Sequence, residues 1–372
     1  MLIGVPKEIK VHEYRVGLTP ESVRQLAGRG HRVLVQTGAG IGIGATDDDY
    51  RAAGATMVAT PEEIFAQAEL IVKVKEPLAR ERALLRRDQA LFTYLHLAPD
   101  ADQARELLKS GAIAIAYETV TAPGGGLPLL APMSEVAGRM AIQVAAHYLE
   151  RPQGGRGILI SGASGVPAAN VLVLGAGVVG SNAARVAVGM GAQVTVLSRS
   201  EEPLRRLSAE LGTELRTGPS TLEAVAEALG TADAVIGAAL VPGALAPRLV
   251  TRAMLAAMQP GSVLVDVSID QGGCFETSRP TTHADPVFTL DGIVHYCVAN
   301  MPGAVPRTST YALNHATLPF VAELADRGVA AALGQNAHLR NGLNVCRGAI
   351  TRREVADALG YACLDPLKAL AA

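Results

Sequence analysis

The chain contains no tryptophan, and aromatic residues of every kind fill only 3% of its 372 positions. Since 49% of the chain is nevertheless hydrophobic, the core must be built from Val, Leu, Ile and Ala, the palette of buried parallel strands. Charge of one sign is also scarce: 33 basic and 35 acidic side chains leave a net charge of −2. That balance argues against a nucleic-acid groove or an anionic membrane surface as the main partner. Only four cysteines occur (Cys274, Cys297, Cys346, Cys363), with no CxxC pair and no histidine at zinc-ligand spacing. A disulfide framework and a structural metal are both disfavoured, and a reducing, cytoplasmic setting is expected. Gly157–Ala184 carries no charge over 28 residues, yet six glycines, Pro167, three serines and two asparagines interrupt it. Such a stretch makes a poor membrane helix and reads instead as a buried strand, turn and helix. Leu2–Val5, directly after Met1, reads as a strand rather than a secretory leader.

The length exceeds one ordinary core and points to two domains. In the first third, strands are expected at Leu2–Val5, His31–Gln36, Leu70–Lys75, Ala90–Tyr94 and Ala112–Tyr117, with helices around 80–87 and 101–110. Thr19-Pro20-Glu21 supplies an N-cap, a proline at the first helical position and an acid in the first turn. Gly124-Gly125-Gly126 with Pro128 and Pro132 marks a domain crossing. Beyond it, strands are expected at Val171–Leu174, Gln193–Leu197, Ala234–Ala238, Val263–Val267 and Ile293–Cys297, with a helix over Val178–Met190. Thr251 is expected to cap a helix that Pro260-Gly261 closes. From Thr308 apolar residues recur three and four apart, which predicts a helix. Strands alternating with helices imply an α/β protein with two doubly wound parallel sheets. If the late helix packs back on the first domain, residues 1–128 and 307–372 form one discontinuous domain. Residues 129–306 are then an inserted, Rossmann-type nucleotide domain.

The inserted domain carries Gly175-Ala176-Gly177-Val178-Val179-Gly180 between a predicted strand and a predicted helix. Gly175 suits a tight turn, Gly177 a close approach of backbone amides to a pyrophosphate, and Gly180 a close strand–helix contact. The helix N-terminus would then favour the phosphates. At the end of the second strand, where an acid normally binds the ribose 2′-hydroxyl, the chain reads Leu197-Ser198-Arg199-Ser200. Ser198 brings no charge against a 2′-phosphate and Arg199 is placed to pair with one. The alternatives are a glycine-rich turn that packs two elements without any ligand, and, for Arg199, an exposed arginine in a loop.

Four further residues sit where parallel sheets build sites. Lys75 shares with Lys73 an apolar strand, where an unpaired lysine is costly. His96 follows the run Leu91–Leu95, Asp270 lies just beyond Val263–Val267, and Arg15 occupies the loop after the first strand. Together they suit a small carboxylate undergoing hydride and proton transfer. Singly, each could be a satisfied histidine, a helix cap or a surface cation.

These residues lie within longer motifs. Gly4-Val5-Pro6-Lys7-Glu8, Val72-Lys73-Val74-Lys75-Glu76-Pro77, Phe92-Thr93-Tyr94-Leu95-His96-Leu97 and Ala116-Tyr117-Glu118-Thr119 stand in the first domain. Pro132–Arg139, Val265–Gly273 and Ala299–Ser309 follow. Through nearly its whole length the chain resembles the bacterial alanine dehydrogenases, a family shared with the soluble nucleotide-binding part of proton-translocating transhydrogenase. The resemblance implies reversible oxidative deamination of L-alanine to pyruvate and ammonium with a nicotinamide cofactor. It implies that Arg15 and Lys75 bind the substrate carboxylate and carbonyl, and that His96 and Asp270 serve proton transfer and water activation. Ser134, Ser220, Asn300 and Met301 match cofactor-side positions, and the family implies a hexamer. Ser198 stands where the family has its acid, and Pro203 where it has a nearby lysine. NAD(H) is the family's coenzyme, and the departure at Ser198-Arg199 predicts that NADP(H) is accepted. A transhydrogenase subunit, a non-catalytic nucleotide sensor and an opine-type dehydrogenase are the competing readings.

Overall fold

The computed structural model describes residues 1–239 and 246–371. Its strands, in chain order, are β1 (Leu2–Val5), β2 (Arg32–Gln36), β3 (Thr56–Val58), β4 (Leu70–Val72), β5 (Ala90–Thr93) and β6 (Ile113–Ala116). Next come β7 (Asn170–Leu174), β8 (Gln193–Ser198), β9 (Leu215–Pro219), β10 (Ala234–Gly237), β11 (Val263–Asp266), β12 (Val287–Leu290) and β13 (Ile293–Tyr296). The last two are β14 (Leu343–Cys346) and β15 (Ala349–Ile350). The chain divides into two compact units, Met1–Met133 with Gly303–Ala372, and Ser134–Pro302.

The first unit holds one sheet in the order β15-β14-β6-β5-β4-β1-β2-β3. Strands β1 to β6 run parallel, while β14 is antiparallel to both β6 and β15. Every residue of β4, β5, β6 and β14 is buried, as expected for strands covered on both faces. The capping chemistry is legible residue by residue. Thr19 accepts the Ser22 N–H at 3.2 Å ahead of the Pro20–Gly28 helix, and Thr60 and Glu63 form a reciprocal capping box on Pro61–Gln67. The Pro306–Arg327 helix returns to this sheet through Asn314. Its Oδ1 accepts the Thr19 N–H at 2.8 Å and the Ser22 hydroxyl at 2.9 Å, and its Nδ2 donates to Gly17 O at 3.0 Å.

The second unit is the same design repeated, in the order β12-β13-β11-β10-β7-β8-β9, parallel except for β12. In both sheets the strand order reverses beside the first strand, between β1 and β4 and between β7 and β10. Ligands of open α/β sheets bind at the carboxyl ends of the strands at such reversals.

Several expected elements differ. The strand expected over Leu70–Lys75 ends at Val72, because the Glu8 carboxylate takes the Val74 N–H at 2.7 Å and the Lys75 N–H at 3.4 Å. The helix expected around 80–87 is a single turn, Ala79–Arg82. No helix capped by Thr251 forms; a 3₁₀ turn at Ala253–Ala257 stands there, preceded by Arg252 without a side-chain cap. So short a segment before Pro260-Gly261 does not offset the cost of nucleating a helix. Among the described residues, no helix is long and apolar enough to cross a membrane.

Candidate active site

In the first unit, the loops after β1, β4, β5 and β6 bring Arg15, Lys75, His96 and Glu118 to one end of adjacent strands. Beneath them lies an aromatic support: Tyr117 packs edge-on to Phe92 and Tyr94 with ring centroids 4.4 and 5.1 Å apart, and its hydroxyl donates to Lys73 O. Burial pushes the Tyr94 phenol far up, so it stays neutral.

Arg15 is buried in the loop that follows β1. Its Nε donates to Glu13 Oε1 at 2.7 Å, its Nη2 to Glu13 Oε2 at 2.6 Å, and its Nη1 points to Met133 Sδ at 3.1 Å. This is a fork-to-fork pair, which fixes the plane of the guanidinium.

The two lysines after β4 have different roles. Lys73 is wholly buried and bridges Glu8 at 3.1 Å and Glu81 at 2.6 Å. Burial favours its neutral form, but the two carboxylates outweigh it and raise its pKa. It is a structural clamp. Lys73→Ala leaves two buried carboxylates without their cation and is expected to lose about 3–5 kcal/mol of folding stability, measured by denaturant unfolding. Lys75 lies two residues further and remains only 8% exposed. Burial raises the neighbouring Glu76 carboxyl, but Lys75 and Lys10 together bring it below its ordinary range.

His96 ends the run after β5 with φ at +49°, a left-handed conformation rare for histidine. The reason is Glu118, whose carboxylate accepts the His96 N–H at 2.7 Å and the Leu95 N–H at 3.2 Å. The imidazole stacks over Tyr94 with planes within 6°, and its Nδ1 stands 4.0 Å from Glu118 Oε1. At 44% exposure the ring remains open to proton exchange. Glu118 and Glu13 were missed as site residues by sequence reasoning. For Glu118 the available signal was its place in Ala116-Tyr117-Glu118-Thr119 just past β6, and for Glu13 its place two residues before Arg15 in the loop after β1.

In the second unit, each glycine of the loop after β7 has a distinct environment. Gly175 has φ at +111°, and a Cβ there would come within 2.6 Å of Ala238 O. A Cβ on Gly180 would overlap Gly175 O at 1.8 Å. Gly177 caps the Val178–Gly189 helix, and apart from its own chain neighbours no described atom lies within 4 Å of where its Cβ would be. Two glycines thus shape the turn and the third keeps the helix N-terminus open, which fits a pyrophosphate. Val179 packs against Gly138, whose Cβ would meet Val179 O at 2.2 Å.

Ser198 closes β8 half-buried and accepts the Ser200 N–H at 3.3 Å, while Arg199 is exposed. Ser220 follows β9; its buried Oγ has no hydrogen-bond partner among the described residues, an orphan that a ligand hydroxyl would satisfy. Ser134 is half-buried and begins the unit. Asn300 has φ at +65°, with its carbonyl bonded to His283 Nε2 at 3.1 Å, and Met301 is buried beside it. Asp270 sits in the middle of a 3₁₀ turn, Ile269–Gln271, past β11, with its carboxylate exposed. Among the described residues, no group of three His, Cys, Asp or Glu could hold a metal ion.

Residues 4–137 match the family model "Alanine dehydrogenase/PNT, N-terminal domain", and residues 141–353 match "Alanine dehydrogenase/PNT, C-terminal domain". An alanine dehydrogenase of Halomonas elongata is 60% identical over 360 residues, covering 97% of each chain. A solved L-alanine dehydrogenase superposes with a TM-score of 0.94 at 48% identity, over 97% of this chain and 99% of that one. A transhydrogenase structure from Sinorhizobium meliloti superposes with a TM-score of 0.81 at 28% identity, over 94% of this chain and 100% of that one. Two matched family domains, spanning nearly the whole chain and both carboxyl-edge sites, place this protein in the alanine dehydrogenase/PNT family.

Proposed function

We propose that this protein catalyses the reversible oxidative deamination of L-alanine to pyruvate and ammonium with a nicotinamide dinucleotide. The observation that carries this reading is the convergence of the Glu13-clasped Arg15, Lys75 and His96 on adjacent strand ends of the first unit. Arg15 and Lys75 are assigned to the carboxylate and carbonyl of the small substrate, fixing its orientation. His96 and Asp270 are assigned to proton transfer and to orienting the water that adds to the imine formed from alanine. Gly175, Gly177, Val179 and Gly180 would hold the coenzyme pyrophosphate, with Ser134, Ser198, Ser220, Asn300 and Met301 contributing around it. Bound there, the coenzyme would take up or return the hydride of Cα. A matrix of amino acids against NAD and NADP tests the reading. Alanine-dependent coenzyme reduction supports it, and reduction by no amino acid would overturn it in favour of a transhydrogenase-like or sensing role.

Coenzyme choice rests on Ser198 and Arg199. The Glu201–Leu211 helix begins just beyond them, and Glu202 is engaged by Arg205 at 2.6 Å and Arg206 at 3.2 Å. Of the two acids at this helix start, Glu201 and Glu202, the second is therefore partly neutralised, and the helix N-terminus favours an anion. NADP(H) is expected to be accepted alongside NAD(H). Ser198→Asp should move the kcat/KM ratio toward NAD by about tenfold, near 1.4 kcal/mol. A wild type that uses only NAD, together with a variant that leaves the ratio unchanged, would leave Arg199 as a surface residue.

A further inference from the structure

We propose that Asp266 is a positioning residue, which locks the loop bearing Asp270 to the end of β11. The inference rests on the role assigned to Asp270 above. Asp266 is the last residue of β11 and is 0% exposed. Its Oδ1 accepts the Ser268 N–H at 3.1 Å. Its Oδ2 accepts the Cys274 N–H at 2.8 Å, the Phe275 N–H at 3.3 Å and the Ser278 hydroxyl at 2.5 Å. One carboxylate therefore holds both the entry and the exit of the turn in which Asp270 is central.

Within that turn the backbone closes on itself. Gln271 N–H donates to Ser268 O at 2.9 Å, Gly272 N–H to Ile269 O at 3.0 Å, and Gly273 N–H to Ser268 O at 3.1 Å. Gly272 and Gly273 have φ at +90° and +81°. A Cβ on Gly273 would fall 2.6 Å from Asp266 Oδ2, so the carboxylate is packed flush against bare backbone. The Ser268 hydroxyl adds a tie to Ala239 O at 2.8 Å. The Asp270 side chain makes no hydrogen bond of its own among the described residues. Its place is set by the backbone, and the backbone is set by Asp266. Only an acceptor at both oxygens can do this. In asparagine the Nδ2 is a donor, and on the Oδ2 side it would face two backbone N–H groups.

The test compares Asp266→Asn, Asp270→Asn and the double variant in the full-length protein. It reads kcat, the KM for alanine, coenzyme affinity, thermal unfolding and amide hydrogen exchange. Asp266→Asn is expected to speed exchange selectively in residues 268–278 and to lower kcat by about tenfold to a hundredfold, the scale of a misplaced reacting group. Coenzyme affinity should stay within about twofold, and the double variant should be no slower than Asp270→Asn by more than about twofold. A purely structural role would instead add its loss to that of Asp270→Asn, and that additivity overturns the inference. Faster exchange with wild-type kcat overturns it too. If Asp270→Asn alone keeps wild-type kcat, the role of Asp270 fails, and the inference falls with it. Should Asp266→Asn not fold, Ser278→Ala removes the one side-chain donor and keeps the backbone bonds. Its smaller loss of kcat must then vanish in the Asp270→Asn background, and a loss that persists there is equally fatal.

Discussion

Arg15→Ala and Lys75→Ala should each lower kcat/KM for alanine by about 2–4 kcal/mol in transition-state binding, with coenzyme affinity nearly unchanged. The buried fork on Glu13 complicates the Arg15 variant. Without the guanidinium, Glu13 becomes a buried carboxylate that has lost its fork-to-fork cation, and stability should fall as well. A double variant, Glu13→Gln with Arg15→Ala, separates the effects: the unfolding midpoint should recover much of its loss, while kcat/KM should not. Recovery of both would show that Arg15 supports the loop and nothing more. Wild-type kcat/KM in Arg15→Ala or Lys75→Ala would remove that residue from the substrate site.

His96→Ala and Asp270→Asn are each expected to reduce kcat by about a hundredfold or more, as for a positioned acid or base. In the proposed assignment both roles belong to one sequence of proton transfer and water addition. The double variant should therefore be little slower than the poorer single variant. Fully multiplicative losses would assign the two residues to separate steps. His96→Ala carries a further signature, since it removes the ring but keeps the backbone that Glu118 holds through its amide. Its unfolding midpoint should stay close to that of the wild type, in contrast to Arg15→Ala.

The parallel sheets were legible because their strands are nearly continuous apolar runs, and the glycine loop because only glycine fits Gly175 and Gly180. Strand ends were harder. Leu70–Lys75 reads as one strand until the Glu8 carboxylate, distant in sequence, captures the amides of Val74 and Lys75. The same ion cluster hid the difference between Lys73 and Lys75, since a clamped lysine and one proposed for substrate look alike without Glu8 and Glu81 in place. Short edge elements such as β3 and β9 escaped notice because Thr56–Val58 and Leu215–Pro219 are partly exposed and carry little pattern. Glu118 and Asp266 were passed over for a related reason. Their carboxylates serve backbone amides, and hydrogen bonds to backbone leave no trace in residue spacing.

The stitching of Gly17 and Thr19 to Asn314, and of β6 to β14, dictates an order of events during synthesis. As the chain leaves the ribosome, β1 to β6 emerge first, yet Asn314 follows some 295 residues after its partner Thr19. The outer edge of β6 stays unpaired until Leu343–Cys346 has been made. Every strand of the second unit is complete well before then. The nucleotide-type unit is thus poised to fold while the earlier-born unit still waits for its last strands. An unpaired edge strand is a template for mispairing with other chains, and β6 presents such an edge until β14 is made.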